Sequence, residues 1–291
     1  NTLKIFTLTS NLIVYLILIS GMIMGIINWT RKRFSNKMFL IFGCIFLLLS
    51  IAGIVNSWNQ VLSTYFTGLP FNNFVTMTLI GAALGVIFMS MGIAVLGGFS
   101  CQLAVHDHRY EKYDWIKASL IGLIVAGLSS LKLMVTTPAG PKWADFGNYN
   151  DTLPAFGFFS DSVSKILLIP AFAMILFYFV NQFSKQFTKK KILAIVCVFF
   201  AGFFIAGSNV ETLHSWFIHG IINAVVYSIL YILLHKHISW LPMVFFIPLL
   251  LSILEIAFNG HSNGLISGII LTIVAGFLIT IGWQYGIRKC S

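Results

Sequence analysis

The chain has 291 residues, of which 58% are hydrophobic and 9% charged, with 28 phenylalanines and a net charge of +10. A soluble domain carries roughly 25% charged residues, so most of these side chains face lipid or one another. The basic residues sit in short clusters beside apolar runs, as membrane topology requires, which argues against a nucleic-acid partner.

A helix needs about 20 apolar residues to cross the hydrocarbon core. Nine such segments run near 5–29, 38–56, 74–99, 116–135, 162–182, 191–207, 216–234, 241–257 and 265–284. They are continuously apolar and do not alternate, which argues against strands. The expected fold is therefore all-α: a polytopic transmembrane helix bundle in a single domain over 1–291. No repeat and no dividing linker interrupts it. The first stretch is too long for a cleavable signal and has no small-residue cleavage site, so it reads as a true span.

The loops alternate in character. Arg31, Lys32, Arg33 and Lys37 follow the first span, and a charge-free stretch from Ser57 to Asn72 follows the second. His106-Asp107-His108-Arg109-Tyr110-Glu111-Lys112 follows the third, and a longer loop from Thr136 to Ser160 follows the fourth. Lys185, Lys189, Lys190 and Lys191 follow the fifth, Glu211 and His214 the sixth, and His235-Lys236-His237 the seventh. Asn259, His261 and Asn263 follow the eighth, and the tail carries Arg288 and Lys289. With Lys117, the alternate basic loops hold 14 of the 18 Lys and Arg residues; Lys4, Lys132, Lys142 and Lys165 lie on the other side. The positive-inside rule places the N-terminus outside and the C-terminus in the cytoplasm. That orientation suits a precursor in which an extracytoplasmic segment precedes Asn1. The residue usage is rich in lysine, isoleucine and asparagine, and the expected location is a bacterial inner membrane.

Cys44, Cys101, Cys197 and Cys290 show no metal-ligand spacing and read as free thiols. No metal and no cofactor is expected. His106-Asp107-His108 and His235-Lys236-His237 lie among basic residues at helix ends, where topology and headgroup contact explain them. Gly92, Gly97, Gly98 and Gly220 permit close helix approach. Thr137-Pro138-Ala139-Gly140-Pro141-Lys142-Trp143 has rigid turn chemistry and reads as an ordered outer loop. Asn150-Asp151-Thr152 fits the N-glycosylation pattern on that side.

Charges inside a bilayer are expensive, and those that persist usually face the bundle interior. Lys132, Lys165, Glu211, His214, His219, Asn223 and Glu255 all fall toward the outer half. The densest group is Glu211-Thr212-Leu213-His214-Ser215-Trp216 followed by His219 and Asn223. His219 and Asn223 are four residues apart and share one helix face. Such a pair binds a substrate carbonyl, holds a water, or hydrogen-bonds a neighbouring helix. The candidate catalytic residues are Glu211, His214, His219 and Asn223, which make up no complete catalytic set. The candidate binding residues are His219, Asn223, Glu255, Lys132 and Trp216. Glu255 and Lys132 are the expected polar partners of the histidine–asparagine face.

Arg31-Lys32-Arg33, the apolar run after it, Val55-Asn56-Ser57-Trp58 and Gly68-Leu69-Pro70-Phe71 carry a family resemblance over about residues 25–100. This region resembles the membrane part of long proteins in the CAAX-processing and bacteriocin-immunity (CPBP) family of intramembrane glutamic peptidases. In that family a Glu-Glu pair activates a water while later His and Asn residues support the oxyanion. His219-Gly220-Ile221-Ile222-Asn223 matches the histidine-then-asparagine spacing, but the chain has no Glu-Glu pair. Ser160-Asp161-Ser162-Val163-Ser164-Lys165 keeps one acid and one base out of that register. Without the pair there is no general base. The resemblance therefore implies a diverged relative that has lost proteolysis: a non-catalytic subunit or scaffold with membrane lipids and a protein partner around it. The alternatives are an intramembrane peptidase acting on membrane-embedded or lipidated peptides, and a small-molecule or lipid transporter. Spans one, two, three, five, six and nine carry almost no internal charge, which argues against an ion-coupled carrier.

Overall fold

The structure is a computed structural model that describes residues 2–31, 34–65, 68–103, 114–135, 152–185, 187, 189–205, 212–258 and 266–290. Apart from one short 3-10 turn, every regular element among them is an α-helix: α1 (Thr2–Thr30), α2 (Asn36–Asn56), α3 (Trp58–Ser63), α4 (Phe71–Leu103), α5 (Asp114–Val135), α6 (Pro154–Ser184), α7 (Lys191–Phe204), α8 (Leu213–Leu234), α9 (Leu241–Phe258) and α10 (Ile266–Cys290). Eight of these helices are long and apolar enough to cross a membrane. The segment expected at 191–207 forms the 14-residue α7, too short for that class. Fourteen residues rise about 21 Å, less than the ~30 Å hydrocarbon core. The short helix α3 occupies part of the charge-free stretch after α2.

Helix α6 is the hub. It packs against α1, α2, α4, α7, α9 and α10. Of its most apolar stretch 72% is buried, against 17% for α1 and α2. From Pro170 to Tyr178 every residue is buried, whichever way it points. A helix that is apolar all round belongs in the centre of a bundle. The surrounding helices keep one face exposed, with Leu12, Leu48, Phe88 and Leu278 all turned outward. An apolar surface of that extent is incompatible with water and suits a lipid surround.

The fifth expected span, 162–182, starts earlier than its hydropathy suggests, at Pro154. From sequence, the loop runs to Ser160 and the span begins at Ser162. In the structure Asp161 and Lys165 are four apart on the helix surface and form an ion pair at 2.6 Å. The i,i+4 geometry lets both charges sit on a continuous helix. Pro at its first position suits a helix start, because that N–H would have no partner anyway.

Contacts fix which turns share an end. Ser35 N–H donates to the Gly98 carbonyl, a methionine on α2, Met38, lies over Gly286, and Asn181 donates to the His235 carbonyl. The 3-10 turn Ile238–Trp240 after α8 also packs on α10, so the turns after α1, α6 and α8 and the end of α10 lie at one end of the bundle. At the other end, Asn56 meets Thr152 and Leu153, Gly268 lies on Ala155, and Phe6 packs on Trp216. The described basic turns thus gather on one side.

Close approach between helices is local. In α5, a Cβ added to Gly122 would lie 2.9 Å from the Val244 carbonyl oxygen of α9. Pro248 stands four residues after Val244 inside α9 and has no N–H to donate back to it. The glycine lets the α5 backbone cover the carbonyl that the proline leaves open. Between α2 and α4, Phe42 and Phe34 fill the space that Gly97 and Gly98 leave.

A core-versus-lipid contrast follows. Ala173 on α6 is 0% exposed and Leu278 on α10 is 68% exposed. Ala173→Phe overpacks the hub and lowers stability by about 1–3 kcal/mol. Leu278→Phe leaves it unchanged. Thermal denaturation in detergent, followed by loss of the monodisperse peak, reads both variants.

Candidate functional site

The candidate residues cluster on the first half of α8. Thr212 precedes the helix in an extended conformation, and its hydroxyl accepts the Ser215 N–H at 3.2 Å. A threonine N-cap satisfies one of the free amides of the first turn. His214 is exposed on that turn. Trp216 is fully buried, with its ring 4.9 Å from Phe6, 5.2 Å from Phe203 and 5.4 Å from Phe217. Its indole N–H has no hydrogen-bond partner among the described residues. His219, half-buried, stands one turn below, and Asn223 is buried one turn further on.

Asn223 Nδ2 donates to the Ile205 carbonyl at 3.0 Å. Ile205 is the C-cap of α7. Asn223 lies ten residues into α8, about 15 Å from its start. Helix α7 therefore ends alongside the middle of α8. The last carbonyls of any helix lack partners in their own helix. In a lipid surround each must find one inside the protein. Ile205 N–H closes a final tight turn on the Gly202 carbonyl at 3.1 Å, and Asn223 supplies the donor for the Ile205 oxygen. Gly202 makes the approach possible. A Cβ there would lie 3.0 Å from the Ala224 Cα and 3.1 Å from the Asn223 carbonyl oxygen. Gly220 does the same for the Phe203 ring.

One partner of Asn223 is thus a helix-end carbonyl of α7; the sequence pointed to Glu255 and Lys132 as first candidates. Glu255 is exposed on α9 and makes no ion pair or hydrogen bond among the described residues. Lys165 pairs with Asp161 instead of facing the interior. Lys132 lies on α5, but its side chain is outside the described set. Glu211, His106-Asp107-His108, Thr137–Trp143 and Asn150-Asp151 also fall outside the described residues. Cys44 and Cys197 are free thiols. Among the described residues no three His, Cys, Asp or Glu side chains come together.

Two asparagines that sequence reasoning passed over do the same work as Asn223. Asn56, at the last position of α2, accepts the Leu153 N–H at the N-cap of α6 through its side-chain oxygen at 2.6 Å. Its own carbonyl accepts from the Thr152 N–H and hydroxyl at 3.0 and 3.2 Å. Asn181 on α6 donates to the His235 carbonyl, the C-cap of α8, at 2.9 Å, and accepts the Tyr231 hydroxyl at 2.8 Å. The available signal was an uncharged amide near the end of an apolar run. A shallow, mostly apolar groove of about 400 Å³ opens beside the first of these, lined by Ala52, Val55, Asn56, Thr152, Leu153 and Phe156. None of the candidate residues lines it.

No protein-family model, no curated protein and no solved structure matches the chain. The class that its helices define is a multi-pass helical membrane protein.

Asn223→Ala leaves the Ile205 carbonyl without this donor and destabilises the protein by about 1–3 kcal/mol. His214→Ala, at an exposed position of the same helix, leaves stability within about 0.5 kcal/mol. Detergent melting curves of the two variants, measured side by side, check the assignment.

Proposed function

We propose that this protein is a non-catalytic integral membrane subunit, a binding or scaffold element of a membrane complex and a diverged CPBP-like chain without proteolysis. One observation carries the reading: Asn223 is occupied in holding the end of α7. In a peptidase of that family the asparagine would face a substrate carbonyl. Here its amide faces a carbonyl of the protein itself. The acid on α9, Glu255, is exposed. The chain also lacks the Glu-Glu pair that would serve as general base.

The test is a cleavage assay of the purified protein against membrane-embedded and lipidated peptides. No cleavage is expected, with Glu211→Gln and His219→Ala indistinguishable from the unaltered chain. Reproducible cleavage abolished by either substitution would establish the hydrolase in its place.

The same reading sets the chain in a bacterial inner membrane with the N-terminus outside. It counts nine crossings, because α7 begins at the basic end and α8 at the opposite one, so the passage from α7 to α8 is a crossing beside those of the eight long helices. Its support is the gathering of the described basic turns at one end. A cysteine placed at Ser57 reacts with an impermeant maleimide in intact cells, and one at Ser35 reacts only after permeabilisation. Labelling of Ser35 alone in intact cells would invert the arrangement.

A further inference from the structure

Two turns at the basic end are built into one surface. The turn between α6 and α7 folds back on the end of α8. The Phe187 ring lies 5.6 Å from Tyr231 and 4.9 Å from His235. Beneath it, Asn181 holds the His235 carbonyl, and the Tyr231 hydroxyl lies between Asn181 and Ser184. Ser184 accepts the Phe187 N–H through its hydroxyl and the Lys189 N–H through its carbonyl. Lys185, Phe187 and Lys190 all have positive φ, at 49°, 61° and 53°. A residue other than glycine is strained there. The shape of the turn is therefore imposed by the contacts beneath it.

The two turns, joined by the Phe187–His235 contact, carry five lysines. Lys185, Lys189, Lys190 and Lys191 are exposed on the first turn, and Lys236 is exposed on the second. Neither residues 181–204 nor 227–240 contain an acidic residue. On α5, which packs on α8, Asp114 is buried and ion-paired to Lys117 at 3.6 Å. Among the described residues no acid pairs with Lys189, Lys190, Lys191 or Lys236. The lysines also lie against apolar surface. The Lys190 ammonium sits 4.8 Å from the centre of the Phe183 ring, and the Lys191 ammonium 5.8 Å from that of Phe187. Phe183 is 51% exposed. Below Lys191, Ile192, Val196 and Phe200 recur at a spacing of four on the outer face of α7 and are all exposed.

We propose that this paired turn is a binding site for an anionic phospholipid. The lysines take its phosphate, and the Ile192–Val196–Phe200 stripe lies along its acyl chain. Lysine retention at the cytoplasmic end of any span gives a diffuse attraction to anionic lipid. This surface differs in being a shaped turn that continues directly into an exposed apolar stripe. A zwitterionic lipid satisfies only the stripe, and free phosphate only the lysines.

The test uses the full chain, delipidated in mild detergent and examined by native mass spectrometry with added phosphatidylglycerol or phosphatidylcholine. The unaltered protein retains phosphatidylglycerol preferentially. The double variant Lys189→Gln, Lys236→Gln removes two exposed charges and weakens that retention by about fivefold per lysine. The control variant Arg31→Gln, Lys37→Gln removes two charges from another turn at the same end and keeps the preference. Lys189→Arg, Lys236→Arg preserves charge and also keeps it. Equal loss in the control variant, or no loss in the first, overturns the site. Displacement of the lipid by inorganic phosphate at comparable concentration also overturns it, in favour of a free-anion site.

Discussion

The constraint that organises this structure is that a backbone polar group within apolar surroundings must find its partner inside the protein. Continuous helices meet it by themselves, except at their ends. Three asparagines attend to the ends. Asn56 meets the start of α6, Asn181 the end of α8, and Asn223 the end of α7. The carboxamide is suited to this because it offers both donors and an acceptor without charge. Asn181 uses both functions at once. Each of these bonds joins two different helices, so satisfying an end also fixes a helix–helix contact.

The hub helix follows from the same logic. Lipid tails are as apolar as leucine, so helices gain little by hiding apolar side chains from them. Association then depends on close packing. Around α6 the neighbours approach closely, with Gly21 of α1 set against Ile175 and Gly268 of α10 against the Ala155 backbone. Between Pro170 and Tyr178 the helix has no face left for lipid. The helices around it supply the outward surface.

Much of this was legible in the sequence. The long apolar runs gave the membrane class, and their approximate boundaries agree with eight long helices. The alternation of basic loops anticipated that the described basic turns would lie at one end. Two things were harder to read. The start of α6 was hidden because Asp161 and Lys165 depress local hydropathy, although at a spacing of four they neutralise each other on a helix. The role of Asn223 was half-visible. Its position on α8 marked it as inward-facing, but its partner is a main-chain oxygen, and main-chain atoms leave no trace in residue identities. Asn56 and Asn181 were missed for the same reason. The expected span at 191–207 became the short α7 because its apolar run continues past the point where the helix ends at Phe204.

The contact between Gly122 and Val244 has a mechanical consequence. On α5, Ala118, Gly122 and Ala126 follow one another at a spacing of four, and both alanines are buried. Sliding α5 along α9 by one turn would bring an alanine methyl to the place now open above the Val244 oxygen. A methyl carbon there would sit about where the added Cβ does, 2.9 Å from that oxygen. A one-turn slip in either direction therefore meets a clash, and the glycine holds α5 and α9 in register at this crossing.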